Sequence, residues 1–127
     1  MTTYNDNEKL YGKDDKVMYE GEVNNGLRTG KGKQFYDNGD IKYEGEWKND
    51  ERDGKGMDFD ENGNLFYEGE WKNDMMNGKG KCFDEDGMLC YEGEYENDMR
   101  NGNGKSFDEN GNVEYDGEWE NGVPVVV

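Results

Sequence analysis

The sequence predicts an all-β repeat protein, one sheet thick, whose short strands follow one another as an antiparallel meander. The first observation is a recurring phrase: Tyr-Glu-Gly-Glu-Trp stands at 43–47 and 67–71, and variants stand at 19–23, 91–95 and 115–119. The leading tyrosines are 24 residues apart each time, which is typical of arrays whose units pack mainly on their neighbours. The second observation is that apolar and polar residues alternate within each unit, while no helical period occurs.

The bulk composition alone is typical of a disordered chain. Only 30% of the 127 residues are hydrophobic, the mean hydropathy is −1.40 and the net charge is −17. The aromatic content points the other way, because it reaches 13% and the rings recur at fixed positions in every unit. We therefore expect a folded chain with a thin, aromatic-rich core.

The repeat divides the chain into three parts. Residues 1–9 are predicted to be a loose lead-in, residues 10–122 the repeat array, and residues 123–127 an apolar tail that leaves the pattern. Full units cover 19–42, 43–66, 67–90 and 91–114, with half units at either end of the array. The tail is a candidate edge strand for pairing with a second copy of the chain.

Each full unit is predicted to contain two strands, and the third unit shows the pattern. In residues 65–72 a leucine, a tyrosine, a glycine and a tryptophan occupy alternate positions and two glutamates lie between them, as in a half-buried strand. Residues 73–77 are predicted to be a turn and residues 78–83 the second strand. Residues 84–87 are predicted to be a hairpin loop in which Gly87 supplies a positive φ.

Two features of the second strand need an explanation. Strict alternation would place Phe83 on the face of the lysines, so we expect a bulge near Cys82 that returns this ring to the face of Tyr and Trp. The same expectation applies to Phe35, Phe59 and Phe107. Paired glycines such as Gly78 and Gly80 are costly inside a strand, and we expect large rings of the neighbouring strand to lie over them.

The repeated motif resembles a known family. Tyr-Glu-Gly-Glu-Trp-Lys-Asn, followed by Gly-Lys-Gly, an aromatic residue and Asn-Gly, is similar to the MORN repeat (membrane occupation and recognition nexus), and the resemblance covers residues 10–122. The 24-residue period resembles a variant of bacterial proteins that include some antitoxins. The sequence departs from the family pattern at Val23, at Asn103, and at Asp50, Asp74 and Asp98, where the family often has glycine; we expect the aspartates to weaken the turn geometry.

The resemblance implies an elongated, twisted antiparallel sheet of stacked β-hairpins. Members of the family act as scaffolds, self-associate or stand beside catalytic domains, and membrane or phosphoinositide binding has been proposed for some. The resemblance therefore implies a binding function, without a catalytic site or a cofactor.

The residue inventory argues against catalysis. The chain has no histidine, which removes the common catalytic triads, Cys-His dyads and histidine-rich zinc sites. The acidic loops at 84–87 and 108–111 lack the spacing of an EF-hand, so turn formation is favoured over a calcium site and no metal is expected. Cys82 and Cys90 flank one hairpin loop; two free thiols are favoured over a cross-strand disulfide.

The charge distribution indicates the kind of partner. Unit 19–42 has no net charge, whereas units 43–66 and 91–114 each carry a net charge of −5. Such acidity repels nucleic acid and makes membrane binding unfavourable, so we expect a basic protein partner. No apolar run is long enough to span a bilayer and residues 1–5 lack the pattern of a signal peptide, which together with the two cysteines favours a cytoplasmic location.

Two sets of residues are candidate binding sites. The aromatic columns either line a partner groove or simply form the core; they comprise Tyr43, Trp47, Tyr67, Trp71, Tyr91, Tyr95, Tyr115 and Trp119. The acidic candidates are Glu92, Glu94, Glu96 and Glu118. The leading hypothesis is a non-catalytic interaction or scaffolding module for a basic partner. The alternatives are an antitoxin or immunity-type inhibitor of a basic toxin and, less favoured, a peripheral membrane or phosphoinositide binder.

Overall fold

In a computed structural model, which describes residues 6–126, the chain forms one open antiparallel sheet of eleven strands in sequential order. The strands are β1 (Asp6–Tyr11), β2 (Val17–Asn24), β3 (Leu27–Phe35), β4 (Ile41–Lys48), β5 (Glu51–Phe59), β6 (Leu65–Lys72), β7 (Met75–Phe83), β8 (Leu89–Glu96), β9 (Met99–Phe107), β10 (Val113–Glu120) and β11 (Val123–Pro124). A single 3-10 turn, Lys13–Asp15, separates β1 from β2. The predicted all-β meander is confirmed. Within the described residues, no helix has the length and apolar character needed to cross a membrane.

The hairpins inside the units close through two-residue turns. Asn73 and Asp74 have φ values of 51° and 67°, as the two central residues of a type I′ turn require. The predicted turn at 73–77 is therefore too long, and the second strand begins at Met75. The reason is that asparagine and aspartate accept the left-handed conformation that glycine usually supplies.

The loops between units follow the predicted chemistry. The N–H of Gly87 donates to the carbonyl of Asp84 at 2.9 Å, and Gly87 has a φ of 80°. The Asp84 carboxylate accepts from the N–H groups of Asp86 and Met88, each at 2.9 Å. The acidic residue that opens this loop thus acts as a turn-forming acceptor, and the positive φ predicted for Gly87 is confirmed.

A bulge does occur near Cys82, but its extra residue lies in the following strand. Cys82 pairs with Tyr91 and Phe83 pairs with Leu89, which leaves Cys90 unpaired in the ladder. The four phenylalanines at this position of the units stay partly buried and are not among the residues that pack against the buried aromatic cluster. The expectation that Phe83 rejoins the Tyr and Trp face was wrong, because the bulge lengthens the strand after the ring and not the strand that carries it.

A second bulge interrupts the ladder beside each glycine pair. Gly69 pairs with Gly80 and Trp71 pairs with Met76, so three residues of β7 lie opposite Glu70 alone. The Glu70 carboxylate accepts from the N–H of Lys79 at 2.6 Å and so binds one backbone amide of the bulge. The same contact joins Glu22 to Lys31 at 2.5 Å and Glu94 to Asn103 at 2.6 Å. The second glutamate of the repeated phrase therefore has a structural role.

The two ends of the array are more ordered than the sequence predicted. β1 begins at Asp6, so residues 6–9 of the expected lead-in pair with β2; residues 1–5 lie outside the described residues. In the tail, Val123 and Pro124 pair with β10, and the N–H of Val125 donates to the carbonyl of Glu118 at 2.9 Å. The tail therefore returns to the sheet as an additional short edge strand, and Val127 lies outside the described residues.

Candidate functional site

The aromatic columns lie together on one face of the sheet and are buried. Tyr19, Tyr43, Tyr67 and Tyr91 have no exposed surface, and Trp47, Trp71, Tyr95 and Trp119 are 4–6% exposed. Neighbouring rings meet edge to face with centroids 5.1–5.5 Å apart, the geometry that the quadrupoles of aromatic rings favour. Each tryptophan or Tyr95 lies between tyrosines of two units, so the columns join the units into one cluster.

The polar atoms of these rings have partners inside the sheet. The hydroxyl of Tyr67 donates to the carbonyl of Glu70 at 2.8 Å, and the indole N–H of Trp71 donates to the carbonyl of Gly56 at 3.3 Å. Burial raises the pKa of Tyr19 to about 12, so its hydroxyl keeps its proton. Of the eight aromatic residues predicted to line a groove, seven are core residues and Tyr115 alone is partly exposed. Contact of these rings with a partner stays a prediction.

Arginines cover the edge of the aromatic face and connect successive units. The guanidinium of Arg52 lies 4.5 Å from the centroid of the Trp71 ring, within the range of a cation–π contact. Its Nε donates to the Asp74 carboxylate at 3.1 Å, and the Arg52 N–H donates to the same oxygen at 2.8 Å. Arg28 and Asp50 repeat the arrangement, and the Arg28 guanidinium holds the pKa of Asp50 below its usual range.

These contacts correct the expectation about the turn aspartates. Asp74 adopts the left-handed φ of its turn and also accepts two hydrogen bonds from Arg52, which a glycine could not do. Asp98 accepts in the same way from the N–H of Met76 at 2.8 Å. The aspartates therefore join each turn to the preceding hairpin, and they compensate for the conformational cost of a residue other than glycine.

A row of glycines crosses the sheet beneath the tyrosines. The row runs from β2 to β10 through Gly21, Gly32, Gly45, Gly56, Gly69, Gly80, Gly93, Gly104 and Gly117, each paired with its neighbour in the row. A Cβ at Gly56 would overlap the phenol ring of Tyr43. The rings thus occupy the space over one glycine of each pair, such as Gly80, as the sequence predicted. Over the other glycine, such as Gly78, the carboxylate of Glu70 lies instead of a ring, so that part of the prediction was wrong.

On the opposite face the same glycines form the floor of a polar groove. Cavities of about 290, 540 and 690 Å³ follow one another along it, and glycines from the row line each of them. The walls are side chains two positions apart on each strand, so we estimate a width of about 7 Å between their Cβ atoms. Such a groove accepts an extended polypeptide, whereas an α-helix with side chains measures about 10–12 Å across.

The groove walls carry bands of alternating charge. Even-numbered strands contribute acidic pairs: Glu20 and Glu22, Glu44 and Glu46, Glu68 and Glu70, Glu92 and Glu94, and Asp116 and Glu118. Odd-numbered strands contribute lysines: Lys31 and Lys33 on β3, Lys55 on β5, Lys79 and Lys81 on β7, and Lys105 on β9. Met57 on β5 and Asn103 on β9 each take the place of a lysine. Strands with two lysines, β3 and β7, lie on both sides of β4 to β6, whereas β11, which follows β10, has none, so the C-terminal end of the groove is the most acidic.

The structure brings three of the four acidic candidates to this end of the groove. Glu92 and Glu94 line the cavity of about 690 Å³ from opposite walls of the groove. Glu118 pairs with Asn103 and lies on the same wall as Glu94. Glu96 lies beyond the groove, near the turn, where its carboxylate accepts from the Asn101 side chain at 2.9 Å. Glu94 is partly committed to the fold, because it binds the N–H of Asn103.

Comparison with protein-family models agrees with this geometry. The model described as the MORN repeat matches residues 19–41, 43–57, 67–89, 91–113 and 115–126, and a model described as a MORN repeat variant matches residues 52–73. The chain belongs to the MORN repeat family. MORN repeats are in general protein- or membrane-interaction modules, and the family is a non-enzymatic binding repeat. A search of curated protein sequences found no match to the chain.

One residue of the aromatic face escaped the sequence analysis. Asp58 pairs with Tyr43 on one side and with Tyr67 on the other, so its carboxyl group lies among the rings of two MORN units. Burial raises the pKa of Asp58 to about 6, although Arg52 and Lys42 act in the opposite direction. The corresponding residues of the other units are Gln34, Cys82 and Ser106. The signal was available in the sequence, since Asp58 is the one acidic residue at this position.

We expect Asp58→Asn to stabilise the protein at pH 7 and to remove part of its pH dependence. The folded state binds the Asp58 proton more tightly than the unfolded state does, because the folded pKa is about 6 and the ordinary value is 3.8. As the pH rises from about 4 to about 7, the free energy of unfolding should therefore fall by about 1–3 kcal/mol on account of this group, and it should level off at higher pH. Urea titrations at several pH values measure the slope. Asp37→Asn, at an exposed site, controls for loss of one charge; an equal slope in the two variants would contradict the assignment.

Proposed function

We propose that this MORN protein is a non-catalytic binding module that holds a basic protein segment in the C-terminal half of its polar groove. The observation that carries the proposal is the charge imbalance on β8 to β10. There, the groove walls carry four carboxylates, from Glu92, Glu94, Asp116 and Glu118, and these strands contribute one lysine, Lys105. The two lysines of β7 lie opposite Glu92 and Glu94, so Glu118 is the carboxylate with no lysine opposite it. At the N-terminal end, Lys31 and Lys33 separate the acidic pairs of β2 and β4.

The register explains why this imbalance favours a cationic partner. Lys33 lies between Glu20 and Glu44 in the ladder and its ammonium group is 3.9 Å from the Glu44 carboxylate, so charges at this end are matched within the sheet. Asn103 offers Glu118 no such charge. Carboxylates without a nearby cation attract a basic partner from solution and become favourably paired when it binds.

The width of the groove favours an extended segment of the partner. Lysine or arginine side chains from such a segment would reach both walls, while its backbone would lie on the glycine floor. Because the contacts are mainly electrostatic, added salt should weaken the complex and slow its formation. The MORN core rings would support the groove from the other face, by fixing the glycine row.

Two narrower forms of the proposal follow from the partner's identity. If the basic partner is a toxin, the groove would act as an antitoxin or immunity-type inhibitor, and binding would suppress the activity of the toxin. A membrane or phosphoinositide would require a basic surface, and the lysines of β3 are the best candidates for one. We also propose that the protein is cytoplasmic. Two copies could in addition pair through the C-terminal edge strand.

The proposal is tested by reversing charges at the groove while leaving the fold intact. The variant Glu92→Lys/Asp116→Lys/Glu118→Lys changes three exposed groove carboxylates and omits Glu94, because that carboxylate supports a bulge. The matched control, Glu61→Lys/Glu85→Lys/Glu109→Lys, makes the same change in net charge on exposed loops away from the groove. Tagged proteins are used to capture partners from a native lysate at low and moderate salt, and the captured proteins are identified by mass spectrometry.

We expect the wild type and the loop control to retain basic proteins, and the groove variant to lose them almost completely. Retention should decline as salt rises. Circular dichroism spectra of all three proteins should coincide, which separates lost binding from lost folding. Equal retention of the same basic proteins by the groove variant would overturn the proposal. Size-exclusion chromatography with light scattering reports separately on self-association.

A further inference from the structure

The third MORN unit carries two cysteines at a place where the other units have unrelated residues. Cys82 is the last residue but one of β7, Cys90 is the second residue of β8, and both are partly buried free thiols. The equivalent pairs in the other units are Gln34 with Lys42, Asp58 with Phe66, and Ser106 with Glu114. The fold therefore does not require cysteine at either position, and the two cysteines are candidates for a chemical role.

The bulge places the two cysteines close together. Cys82 pairs with Tyr91, and Cys90 is the extra residue between Leu89 and Tyr91, so Cys90 and Tyr91 together lie opposite Cys82. Directly paired residues of antiparallel strands have Cα atoms about 4.5–5.5 Å apart, and a disulfide needs about 4.4–6.8 Å. That spacing applies to Cys82 and Tyr91. Cys90 shares the position opposite Cys82 with Tyr91, so a disulfide from Cys82 to Cys90 requires only a local adjustment of the bulge.

Burial distinguishes the two thiols. It raises the pKa of Cys90 to about 12, so Cys90 keeps its proton. The arrangement assigns different roles to the two thiols. Because Cys90 keeps its proton, the first attack falls to Cys82, and Cys90 is positioned to react with the mixed disulfide that forms on Cys82.

We propose that Cys82 and Cys90 form a reversible internal disulfide by exchange with a small-molecule disulfide such as oxidised glutathione. The Cys82 thiolate attacks one sulfur of oxidised glutathione, breaks its S–S bond and releases one glutathione thiolate. Cys90 then loses its proton to solvent and attacks the Cys82 sulfur, which expels the second glutathione thiolate. The two protein thiols are oxidised together, and one oxidised glutathione is reduced to two molecules of glutathione.

The bond would stiffen the sheet beside the groove. It would close the loop 83–89 between β7 and β8, and it would join the residues next to Lys81 and near Glu92 on the groove wall. Such a bridge restrains the unfolded chain more than the folded one, so the oxidised protein should melt at a higher temperature. The redox state of this pair would then set the rigidity of the third unit.

The test is oxidation of the purified full chain by oxidised glutathione, followed by intact-mass and peptide analysis. In the wild type we expect loss of two hydrogens, no retained glutathione, a peptide pair linked through Cys82 and Cys90, and a melting temperature several degrees higher. In Cys90→Ser, a mixed disulfide of glutathione with Cys82 should accumulate, because the second thiol is missing. In Cys82→Ser, which places at 82 the residue that stands at Ser106, Cys90 should react much more slowly.

Reduction with dithiothreitol should restore the mass and the melting temperature of the wild type. A wild type that keeps glutathione adducts, links into covalent dimers, or shows no loss of thiols would overturn the proposal. Equal rates of reaction for the two single-cysteine variants would overturn the assignment of Cys82 as the attacking thiol. None of these outcomes depends on the identity of a binding partner.

Discussion

Replacing Gly69 by alanine should destabilise the sheet by about 3 kcal/mol or more, or prevent folding altogether. A Cβ at this position would lie 2.5 Å from the Cα of Gly80, 2.5 Å from the carbonyl oxygen of Lys79 and 2.6 Å from the hydroxyl of Tyr67. Two of these atoms belong to the backbone of the paired strand and cannot rotate away. The two strands would have to separate, and the hydrogen bonds of the ladder and the ring above it would be lost with them.

Urea denaturation followed by circular dichroism measures the effect, and Gly12→Ala is the matched control. Gly12 has an extended φ of −98°, and a Cβ there would meet the Met18 sulfur at an ordinary distance of 3.5 Å. We expect the control to leave the free energy of unfolding unchanged or to raise it slightly, because alanine restricts the unfolded chain. A Gly69→Ala variant as stable as this control would show that the glycine row is not required by close packing.

The repeated phrase contains most of the information for the fold. Alternation in residues 67–72 predicts the strand, its buried face and the position of the glycine, because in a strand every second side chain points to the same side. Leu65 departs from this pattern, because Phe66 is the extra residue of a bulge between Leu65 and Tyr67. The period of the phrase then predicts that Tyr67 and Trp71 have counterparts in line with them. Rings in line across a sheet can pack only on one another, which is why the core was predictable before any contact was known.

The bulges and turns were harder to predict, because several residue types satisfy the same backbone conformation. Asn73-Asp74 does not contain the glycine that marks a two-residue turn, although both side chains tolerate its positive φ values. A bulge near Cys82 follows from the parity of Phe83, but parity does not say which strand carries the extra residue. That choice depends on how the next strand returns to the ladder, which is a property of two strands and not of one.

The acidic candidate residues, too, were only partly predictable from the sequence. Composition and charge distribution indicate where acidity accumulates, yet they do not separate a carboxylate that binds the backbone from one that faces solvent. Glu92 and Glu94 look equivalent in the sequence, but only Glu94 accepts from the N–H of Asn103. The polar groove itself was not predicted. Its floor consists of glycine backbone without side chains, and its walls come from nine successive strands, so no short stretch of sequence shows it.

Replacing Trp71 by alanine should lower the free energy of unfolding by about 3–5 kcal/mol. The ring is 5% exposed and meets Tyr43 and Tyr67 edge to face, at centroid distances of 5.4 and 5.2 Å. Its loss would open a cavity between two MORN units, leave the carbonyl of Gly56 without the indole N–H, and remove the surface on which the Arg52 guanidinium rests. The arginine's link to Asp74 would weaken in turn.

The matched control is Trp71→Tyr, because Tyr95 occupies the equivalent position of the next unit and is 6% exposed. There the ring contacts Tyr67 and Tyr91 at 5.2 and 5.1 Å, so a tyrosine can join two units without the indole. We expect urea denaturation to show a small loss for Trp71→Tyr and the full loss for Trp71→Ala. A loss below about 1 kcal/mol for the alanine variant would mean that the ring contributes little to the core, since full burial of such a ring contributes more than that. In that case the aromatic column would be a second candidate for the surface that binds a partner, beside the polar groove.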